Sequence, residues 1–335
     1  RRPLMRILVA PDKFKGTATA QAVCESIAIA LNSDHDIAVQ PLADGGEGTI
    51  EAFGGANRSD LVSGPLNSVV EAPWRLQGDT AIIEMAQASG LTLTGGREDN
   101  DPISATTFGT GQLIAIAIER GARNILVGAG GSATTDGGLG ALEALTPLQR
   151  LREVSITVAC DVETRFVEAA EIFGPQKGAS PSQVRFLKRR LERTAQMYLE
   201  DRGVDVLDMD MAGAAGGLAG GLASVGALLV KGFNAVSEEV ELLDSIEKAD
   251  LVITGEGHVD GSSFEGKVVG GVLDLADEAA TPALVIAGDF EKSLSCPVPI
   301  YSLVDEVGRG AAFTETQKSI EKVAQKAISN WEKHR

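Results

Sequence analysis

Residues 124–138 read NILVGAGGSATTDGG, a short apolar run followed by a loop of glycine, serine, threonine and aspartate. Short, nearly continuous apolar runs between helical segments are typical of parallel strands that are buried on both faces of a sheet. Runs of the same kind occur at 6–10, 156–159, 251–254, 283–287 and 300–304. Residues 61–84 differ, since turn pairs such as Gly64-Pro65 break them into shorter segments, which predicts antiparallel hairpins. The sequence therefore predicts an α/β fold with a β-richer insertion.

Composition limits the classes of function. The chain has 335 residues, enough for one large or two ordinary domains, and its formal net charge is −17. Such a negative field repels phosphate backbones and anionic lipids, so we expect neither a nucleic-acid partner nor a membrane partner. Residues 211–230 carry no charge but are mostly glycine and alanine, which favours a tightly packed buried segment over a membrane span. The chain has 3 cysteines, which stand far apart, as expected of reduced thiols in a cytoplasmic protein.

Glycine-rich loops that also carry acids follow several predicted strands, at 44–48, 128–138 and 255–261. Glycine allows positive φ and a close approach of the backbone to a ligand, and helix N-termini beside such loops bind phosphate. Ligands of open α/β sheets bind beyond the carboxyl ends of the strands. Several such loops together favour a phosphate and metal site over ordinary turns.

Individual residues in these loops remain ambiguous from the sequence alone. Asp12 and Lys15 either solvate a surface turn or lie beside phosphate. Asp44 and Glu47 either cap a helix or bind a metal ion. Lys177 is a lone cation in a glycine-flanked loop and is a candidate phosphate contact.

The same glycine loop supports an alternative function. Gly128-x-Gly130-x-x-Ala133 has part of the spacing of a dinucleotide-binding fingerprint, which would indicate an NAD-dependent oxidoreductase. The acid that binds the ribose in that motif stands about 20 residues further on. Here the best candidate, Asp161, is more distant. The fingerprint is therefore weak.

Taken in order, the loops resemble the type I glycerate kinase family. The matching segments are APDKFKGT (10–17), LADGGEGT (42–49), TTFGTGQLI (106–114), GSATTDGG (131–138), ACDV (159–162), FGPQKGA (173–179), GAAGGL (213–218) and TGEGHVDGSSFEGK (254–267). The chain departs from the family pattern at His258, Ser262 and Val268-Val269, and it is shorter than that pattern at 145–156 and 163–169. Two explanations of these short regions remain, true deletions and flexible loops that are missing from the sequence. We favour missing loops, because lids over a cleft are often mobile.

The resemblance implies an α/β protein of two domains with the active site in the cleft between them. The Rossmann-like domain, with a parallel sheet, is expected at 5–65 plus 235–335, and an inserted mixed α/β domain with glycine-rich loops at 66–234. The implied reaction is ATP-dependent phosphorylation of D-glycerate with Mg²⁺, at the 2-hydroxyl. A glycerate 3-kinase, a kinase of a related hydroxy acid and a non-catalytic ligand sensor are the alternatives. The chain is expected to be a monomer or a homodimer.

Phosphoryl transfer depends on positioning and on cations that stabilise the developing charge, which gives the matching residues their expected roles. The expected catalytic residues are Lys15 and Lys177, with Asp136 or Asp161 as the general base. The expected metal ligands are Asp44, Glu47 and Glu256. The expected substrate and phosphate contacts are Asp12, Asp44, Gly45, Gly46, Ser132, Thr134, Gly213, Gly216, Gly217, Gly255, Gly257, Asp260 and Lys267.

Overall fold

The computed structural model describes residues 4–334, in which strands and helices alternate. The strands are β1 (Arg6–Val9), β2 (Asp36–Val39), β3 (Arg58–Ser63), β4 (Val69–Gln77), β5 (Thr80–Glu84), β6 (Asn124–Gly128), β7 (Ser155–Cys160), β8 (Leu228–Lys231), β9 (Leu251–Thr254), β10 (His258–Val259), β11 (Ala283–Ala287), β12 (Asp289–Phe290) and β13 (Ile300–Ser302). The helices are α1 (Ala20–Leu31), α2 (Thr49–Ala52), α3 (Ala86–Ser89), α4 (Phe108–Glu119), α5 (Leu139–Ala144), α6 (Ala169–Phe173), α7 (Pro181–Arg202), α8 (Leu218–Ala223), α9 (Gly232–Glu239), α10 (Leu242–Glu247), α11 (Val268–Glu278), α12 (Leu303–Val307), α13 (Arg309–Thr314) and α14 (Thr316–His334).

The chain divides into two compact units. The first unit contains the described residues up to Asp44 and those from Val236 onward, and the second unit is Gly45–Ala235. The predicted first boundary, after residue 65, is corrected to Asp44, because β3 pairs with β4 and so belongs to the second unit. The chain returns to the first unit at Val236, next to the predicted residue 235.

The first unit is built on a parallel five-stranded sheet in the order β13-β11-β9-β1-β2. Numbered along the chain within this sheet, the order is 5-4-3-1-2, a doubly wound arrangement whose order reverses between β1 and β9. Ile7, Ile253 and Ile286 lie in one buried cluster with side chains of α1 and α14. Alternate residues of the same strands point to the opposite face. The predicted Rossmann-like parallel sheet is confirmed.

The second unit has a mixed six-stranded sheet in the order β3-β4-β5-β6-β7-β8. Pairing is antiparallel from β3 to β5, as the hairpin pattern predicts, and parallel from β5 to β8. The carboxyl ends of β5, β6 and β7 therefore lie side by side at one edge, where Glu84 pairs in register with Gly128 and Gly128 with Ala159. The mixed α/β architecture is confirmed.

The uncharged segment 211–230 forms several short elements within the second unit. It contains a 3-10 turn at Ala214–Gly217, then α8 and then β8. Nowhere in residues 4–334 is a helix both long enough and apolar enough to cross a membrane. The two short regions contain a 3-10 turn, at Leu148–Leu151 in residues 145–156, and the residues that lead directly into α6, in residues 163–169.

Two isoleucines on α1 test how the first unit is stabilised. Ile27 is 1% exposed in the core between the sheet and α14, whereas Ile29, on the same helix, is 67% exposed. We expect Ile27→Ala to lower the free energy of unfolding by about 2–5 kcal/mol, because it removes buried methyl groups and leaves a cavity. Ile29→Ala should change it by less than about 0.5 kcal/mol. Urea unfolding of both variants measures the difference, and equal losses would contradict this account of the core.

Candidate active site

A pocket of about 220 Å³ lies in the second unit beyond the ends of β6 and β7. Its polar lining comes from the loop after β6, from the residue after β7 and from the 3-10 turn before α7, and consists of Gly130, Gly131, Ser132, Asp161, Gln176 and Lys177. Leu91, Val162 and Phe173 give it an apolar wall. The volume is below the range for drug-sized ligands, so the pocket suits a molecule of few heavy atoms.

Lys177 provides the positive charge of this pocket. Its side chain is buried, and its Nζ donates hydrogen bonds of 2.7 Å to Ser132 Oγ and 2.7 Å to the Thr134 carbonyl oxygen. Burial lowers the pKa of Lys177 to about 7, while the carboxylates of Asp136 and Asp161 act in the opposite direction. An ammonium group has three N–H donors, so two fixed acceptors leave one donor for a ligand.

Three side chains, one from the segment before α4 and two from α7, fix the carbonyl groups of the loop after β6. Asn100 Nδ2 donates to the carbonyl oxygens of Ala133 and Lys177, at 3.1 and 2.8 Å. Arg190, on α7, donates to the Thr135 carbonyl oxygen at 2.5 Å. Tyr198, about two turns further along α7, donates to the Gly137 carbonyl oxygen at 2.8 Å. The loop is therefore held in one conformation by the protein itself.

Asp136 is part of this support and does not line the pocket. Its carboxylate accepts hydrogen bonds from the Thr107 backbone N–H and hydroxyl at 2.8 and 2.9 Å, and from the Gly138 and Gly140 N–H groups at 3.0 and 3.2 Å. These donors occupy the oxygens that a proton acceptor needs. Of the two predicted candidates for the general base, only Asp161 lines the pocket.

The loop that precedes α2 is held against the ends of β6 and β7. Gly45 has φ +87°, and a Cβ there would lie 2.7 Å from the Ala159 carbonyl oxygen. A Cβ on Gly130 would lie 2.6 Å from Gly46 Cα. Glu84 fixes this loop, since its Oε1 accepts hydrogen bonds from the N–H groups of Gly48 and Ile50 at 3.1 and 2.9 Å. Gly45 and Gly46 thus contact the loop that lines the pocket.

The predicted ligand glycines of 213–217 are buried packing positions. A Cβ on Gly213 would overlap the Arg165 carbonyl oxygen, and one on Gly216 would overlap the Thr134 carbonyl oxygen. A Cβ on Gly217 would lie 2.8 Å from Gly137 Cα. Protein atoms therefore occupy the space next to these glycines, which brings the segment against the back of the pocket loop. Ala215 of the same segment lines the pocket, and the role of these glycines as ligand contacts stays a prediction.

The structure around residues 128–133 does not match that of a dinucleotide-binding fingerprint. The chain does not enter a helix at Ala133, and α5 begins only at Leu139. The backbone between them is held by the side chains described above instead of by helix hydrogen bonds. A dinucleotide phosphate therefore has no helix N-terminus directly after the first glycines, and the oxidoreductase interpretation loses its structural basis.

The first unit carries a separate acidic group where its strand order reverses. Asp12 follows β1 and Glu256 follows β9, and the Asp12 backbone N–H donates to the Gly255 carbonyl oxygen at 2.9 Å. Burial raises the pKa of Asp12 to about 7, with further increases from the Asp44 and Glu256 charges and a decrease from Lys13. Burial also raises the pKa of Glu256. These carboxyl groups therefore share one environment that disfavours their negative charge.

The rest of the predicted set in the first unit builds the loop after β9. A Cβ on Gly255 would overlap the Ile286 carbonyl oxygen, and one on Gly257 would lie 3.0 Å from the Lys15 backbone nitrogen. Asp260 caps the following turn through hydrogen bonds from the Ser262 backbone N–H and hydroxyl, which lower its pKa. Lys267 Nζ donates to Ser262 Oγ at 3.0 Å.

Two predicted residues are solvent-exposed. The Lys15 side chain is exposed in the turn after β1, whereas Lys13 Nζ lies 3.7 Å from an Asp12 carboxylate oxygen. Glu47 is exposed in the second unit, directly before Gly48, whose N–H donates to Glu84. Lys15 and Glu47 thus differ from their buried neighbours in their exposure to solvent.

Oxygen donors suited to Mg²⁺ are present in the acidic group of the first unit. Among residues 4–334, no three histidine, cysteine, aspartate or glutamate side chains are arranged to enclose a metal ion. Mg²⁺, however, usually takes one or two carboxylates from the protein and completes its shell with water and phosphate. Glu256 Oε1 is buried and has no hydrogen-bond partner within the described chain. Asp44 and Glu256 therefore fit a Mg²⁺ ion that is bound together with phosphate.

Sequence reasoning missed the residues that support the site. Glu84 ends the apolar strand AIIE (81–84), and an acid at that position was a detectable signal. Asn100, Arg190 and Tyr198 act on loop carbonyl groups from distant parts of the chain. A side chain that binds a backbone carbonyl leaves no local pattern in the sequence, so only the folded chain reveals these three.

Gly216 and Gly226 allow the packing of the loop to be tested. Both have positive φ, at +66° and +101°, but only Gly216 faces the Thr134 carbonyl oxygen, and Gly226 has open space around it. We expect Gly226→Ala to cost about 1–2 kcal/mol of stability from left-handed strain alone. Gly216→Ala should cost about 1–3 kcal/mol more because of the overlap, and should also weaken ligand binding in the pocket. Thermal unfolding of the pair measures the difference, and equal losses would refute the close approach.

Comparison with known proteins agrees with this geometry. The model of the glycerate kinase family matches residues 7–148 and 146–332. The glycerate 2-kinase of Escherichia coli K12 is 39% identical over 91% of this chain and 87% of its own. The glycerate kinase of Haemophilus influenzae is 37% identical over 92% of this chain and 90% of its own. A solved structure from Salmonella typhimurium LT2, provisionally assigned as a glycerate kinase 2, superimposes with a TM-score of 0.85 at 34% identity and covers 99% of both chains. The chain therefore belongs to the glycerate kinase family.

Proposed function

We propose that this kinase transfers the γ-phosphoryl group of ATP to the 2-hydroxyl of D-glycerate, which gives 2-phospho-D-glycerate and ADP. Its family and its relatives named glycerate 2-kinase and glycerate kinase support the reaction class. The observation that carries the assignment to a site is that Lys177 and Asp161 line the same small pocket. One ammonium and one carboxylate in about 220 Å³ match a three-carbon hydroxy acid.

The pocket binds the substrate through opposite charge and limited size. Lys177 supplies its remaining N–H donor and its positive charge to the glycerate carboxylate. A carboxylate next to a buried ammonium favours the charged form of the lysine, so substrate binding itself keeps Lys177 protonated. Val162 and Phe173 restrict the space around the carbon chain.

Asp161 is the proposed proton acceptor. As the 2-hydroxyl oxygen forms its bond to the γ-phosphorus, the bond from that phosphorus to the ADP oxygen breaks, and the hydroxyl proton passes to the Asp161 carboxylate. The 2-hydroxyl is on the carbon next to the carboxylate, so a base close to Lys177 reaches it more readily than the 3-hydroxyl. This proximity favours the 2-kinase over the 3-kinase.

The acids of the first unit are the proposed metal ligands. Asp44 and Glu256 would hold Mg²⁺, and Asp12 is the buried neighbour that their charges affect. Bound Mg²⁺ supplies positive charge to the phosphate oxygens of ATP, which lowers the cost of the charge that develops there. Since burial raises the pKa of Asp12 and Glu256, a cation beside them would favour their ionised forms.

A ³¹P NMR time course with Mg-ATP and D-glycerate tests the reaction, with a sample lacking glycerate as its control. We expect a new phosphomonoester signal that depends on glycerate and is split into a doublet, because the C2 carbon carries one proton. A triplet would show phosphorylation at C3, which carries two. Absence of any glycerate-dependent signal would overturn the proposed function.

Asp161→Asn and Asp136→Asn separate catalysis from support. Asp161→Asn should lower kcat at least about 100-fold with little change in thermal stability, because general-base catalysis contributes about 10²–10⁴-fold. Asp136→Asn should lower stability by about 1–3 kcal/mol, because its amide NH2 group must face either the Gly138 N–H or the Gly140 and Thr107 N–H groups and leaves those donors unpaired. Steady-state kinetics and thermal unfolding of both variants provide the comparison. The reverse pattern would transfer the role of base to Asp136.

The pH dependence of glycerate binding tests Lys177. Because its pKa is about 7, the ammonium is lost as the pH rises through that value, and glycerate affinity should fall by up to about tenfold per pH unit above it. Calorimetric titration from pH 6 to 9 measures this slope. Lys177→Met should bind glycerate weakly at every pH with no slope, whereas the exposed-lysine variant Lys188→Met should behave as the unaltered protein. An unchanged slope in Lys177→Met would refute the assignment.

A further inference from the structure

Arg190 joins two segments of backbone behind the pocket. From α7, its Nη1 donates to the Ile103 carbonyl oxygen at 2.7 Å and its Nη2 to the Thr135 carbonyl oxygen at 2.5 Å. The two acceptors belong to different loops, one before α4 and one after β6. A planar guanidinium can hold both acceptors in a fixed geometry, whereas an ammonium provides only a single point of charge.

The Thr135 carbonyl is next in sequence to the group that orients Lys177. Lys177 Nζ binds the Thr134 carbonyl oxygen, and the Asp136 carboxylate fixes the backbone on the other side of Thr135. The Thr134 carbonyl lies in the Thr134–Thr135 peptide unit and the Thr135 carbonyl in the Thr135–Asp136 unit. The two planar units meet at the Thr135 Cα, so fixing the second unit through Arg190 restricts the orientation of the first, which carries the acceptor of Lys177. Arg190 and Lys177 therefore bind adjacent peptide groups of one loop, which are joined at Thr135.

We propose that Arg190 is a positioning residue of the active site, which fixes the loop after β6 so that the Thr134 carbonyl and Ser132 hold the Lys177 ammonium in the pocket. Arg190 does not line the pocket itself. The charges that face it are Asp136 and Asp101, and those that face Lys177 are Asp136 and Asp161. The identity of the ligand, glycerate, rests on the proposed function, but the action of Arg190 on Lys177 does not.

A purely structural role would give a different outcome. An arginine that only links two loops would affect stability when removed and would leave the environment of Lys177 as it is. A positioning role requires that the ammonium of Lys177 lose its fixed acceptors and gain contact with water. Its titration would then move toward the value of an exposed lysine, independently of any change in stability.

The experiment compares Arg190→Met and Arg190→Lys with Arg189→Met, in which the neighbouring exposed arginine of α7 is replaced. Proteins labelled with ¹³C at lysine Cε are titrated by NMR, and the Lys177 signal is identified as the one missing from Lys177→Met. In the unaltered protein this signal should titrate near pH 7. Glycerate KM, ATP KM, kcat and thermal stability are measured on the same samples.

In Arg190→Met the Lys177 midpoint should rise by at least about one pH unit, and glycerate KM should rise about tenfold or more, with ATP KM changed less than about twofold. Arg190→Lys should recover part of both effects, and Arg189→Met should show neither. If Arg190→Met does not fold, Arg190→Lys carries the test. A Lys177 midpoint that is unchanged in the folded variants would overturn the proposal, even if stability falls. Absence of glycerate turnover in the unaltered protein would overturn the proposed function instead, while the NMR titration would still decide the role of Arg190.

Discussion

A buried ammonium group is the constraint on which the second unit depends. Lys177 is only 3% exposed, and a buried charge is tolerated only when hydrogen-bond acceptors and opposite charge surround it. The loop after β6 supplies Ser132 Oγ and the Thr134 carbonyl for this purpose, and Asn100 holds the Lys177 backbone. The loop cannot relax without leaving the charge unsatisfied.

Glycine is what allows the supporting segments to approach this loop so closely. Gly45 and Gly130 lie where any side chain would meet neighbouring backbone atoms, and Gly216 faces the same Thr134 carbonyl that binds Lys177. The close packing of backbone on backbone removes water from behind the pocket. This desolvation lowers the pKa of Lys177 and strengthens the attraction of its ammonium form for an anion.

The sequence predicted the loops better than the roles of their residues. Apolar runs and the glycines that follow them are local patterns, so the two sheets and the loops at their carboxyl ends could be predicted. Asp136 and Asp161 could not be told apart, because both are acids in segments that follow a strand, and only their positions relative to the pocket distinguish them. Arg190 could not be found at all, since its acceptors are backbone carbonyl groups at Ile103 and Thr135.

The buried ionisable groups of the two units are of opposite charge type. In the second, a desolvated cation lacks a full set of acceptors and therefore favours an anion. In the first, desolvated carboxyl groups at the point where the strand order reverses favour a cation, and the buried Glu256 Oε1 has no partner within the described residues. The charge is costly in each unit, because burial has removed water that the charged groups would otherwise bind. Ligands of opposite charge would relieve both costs, and in the proposed function these ligands are glycerate at the cation and a magnesium-bound nucleotide at the carboxyl groups.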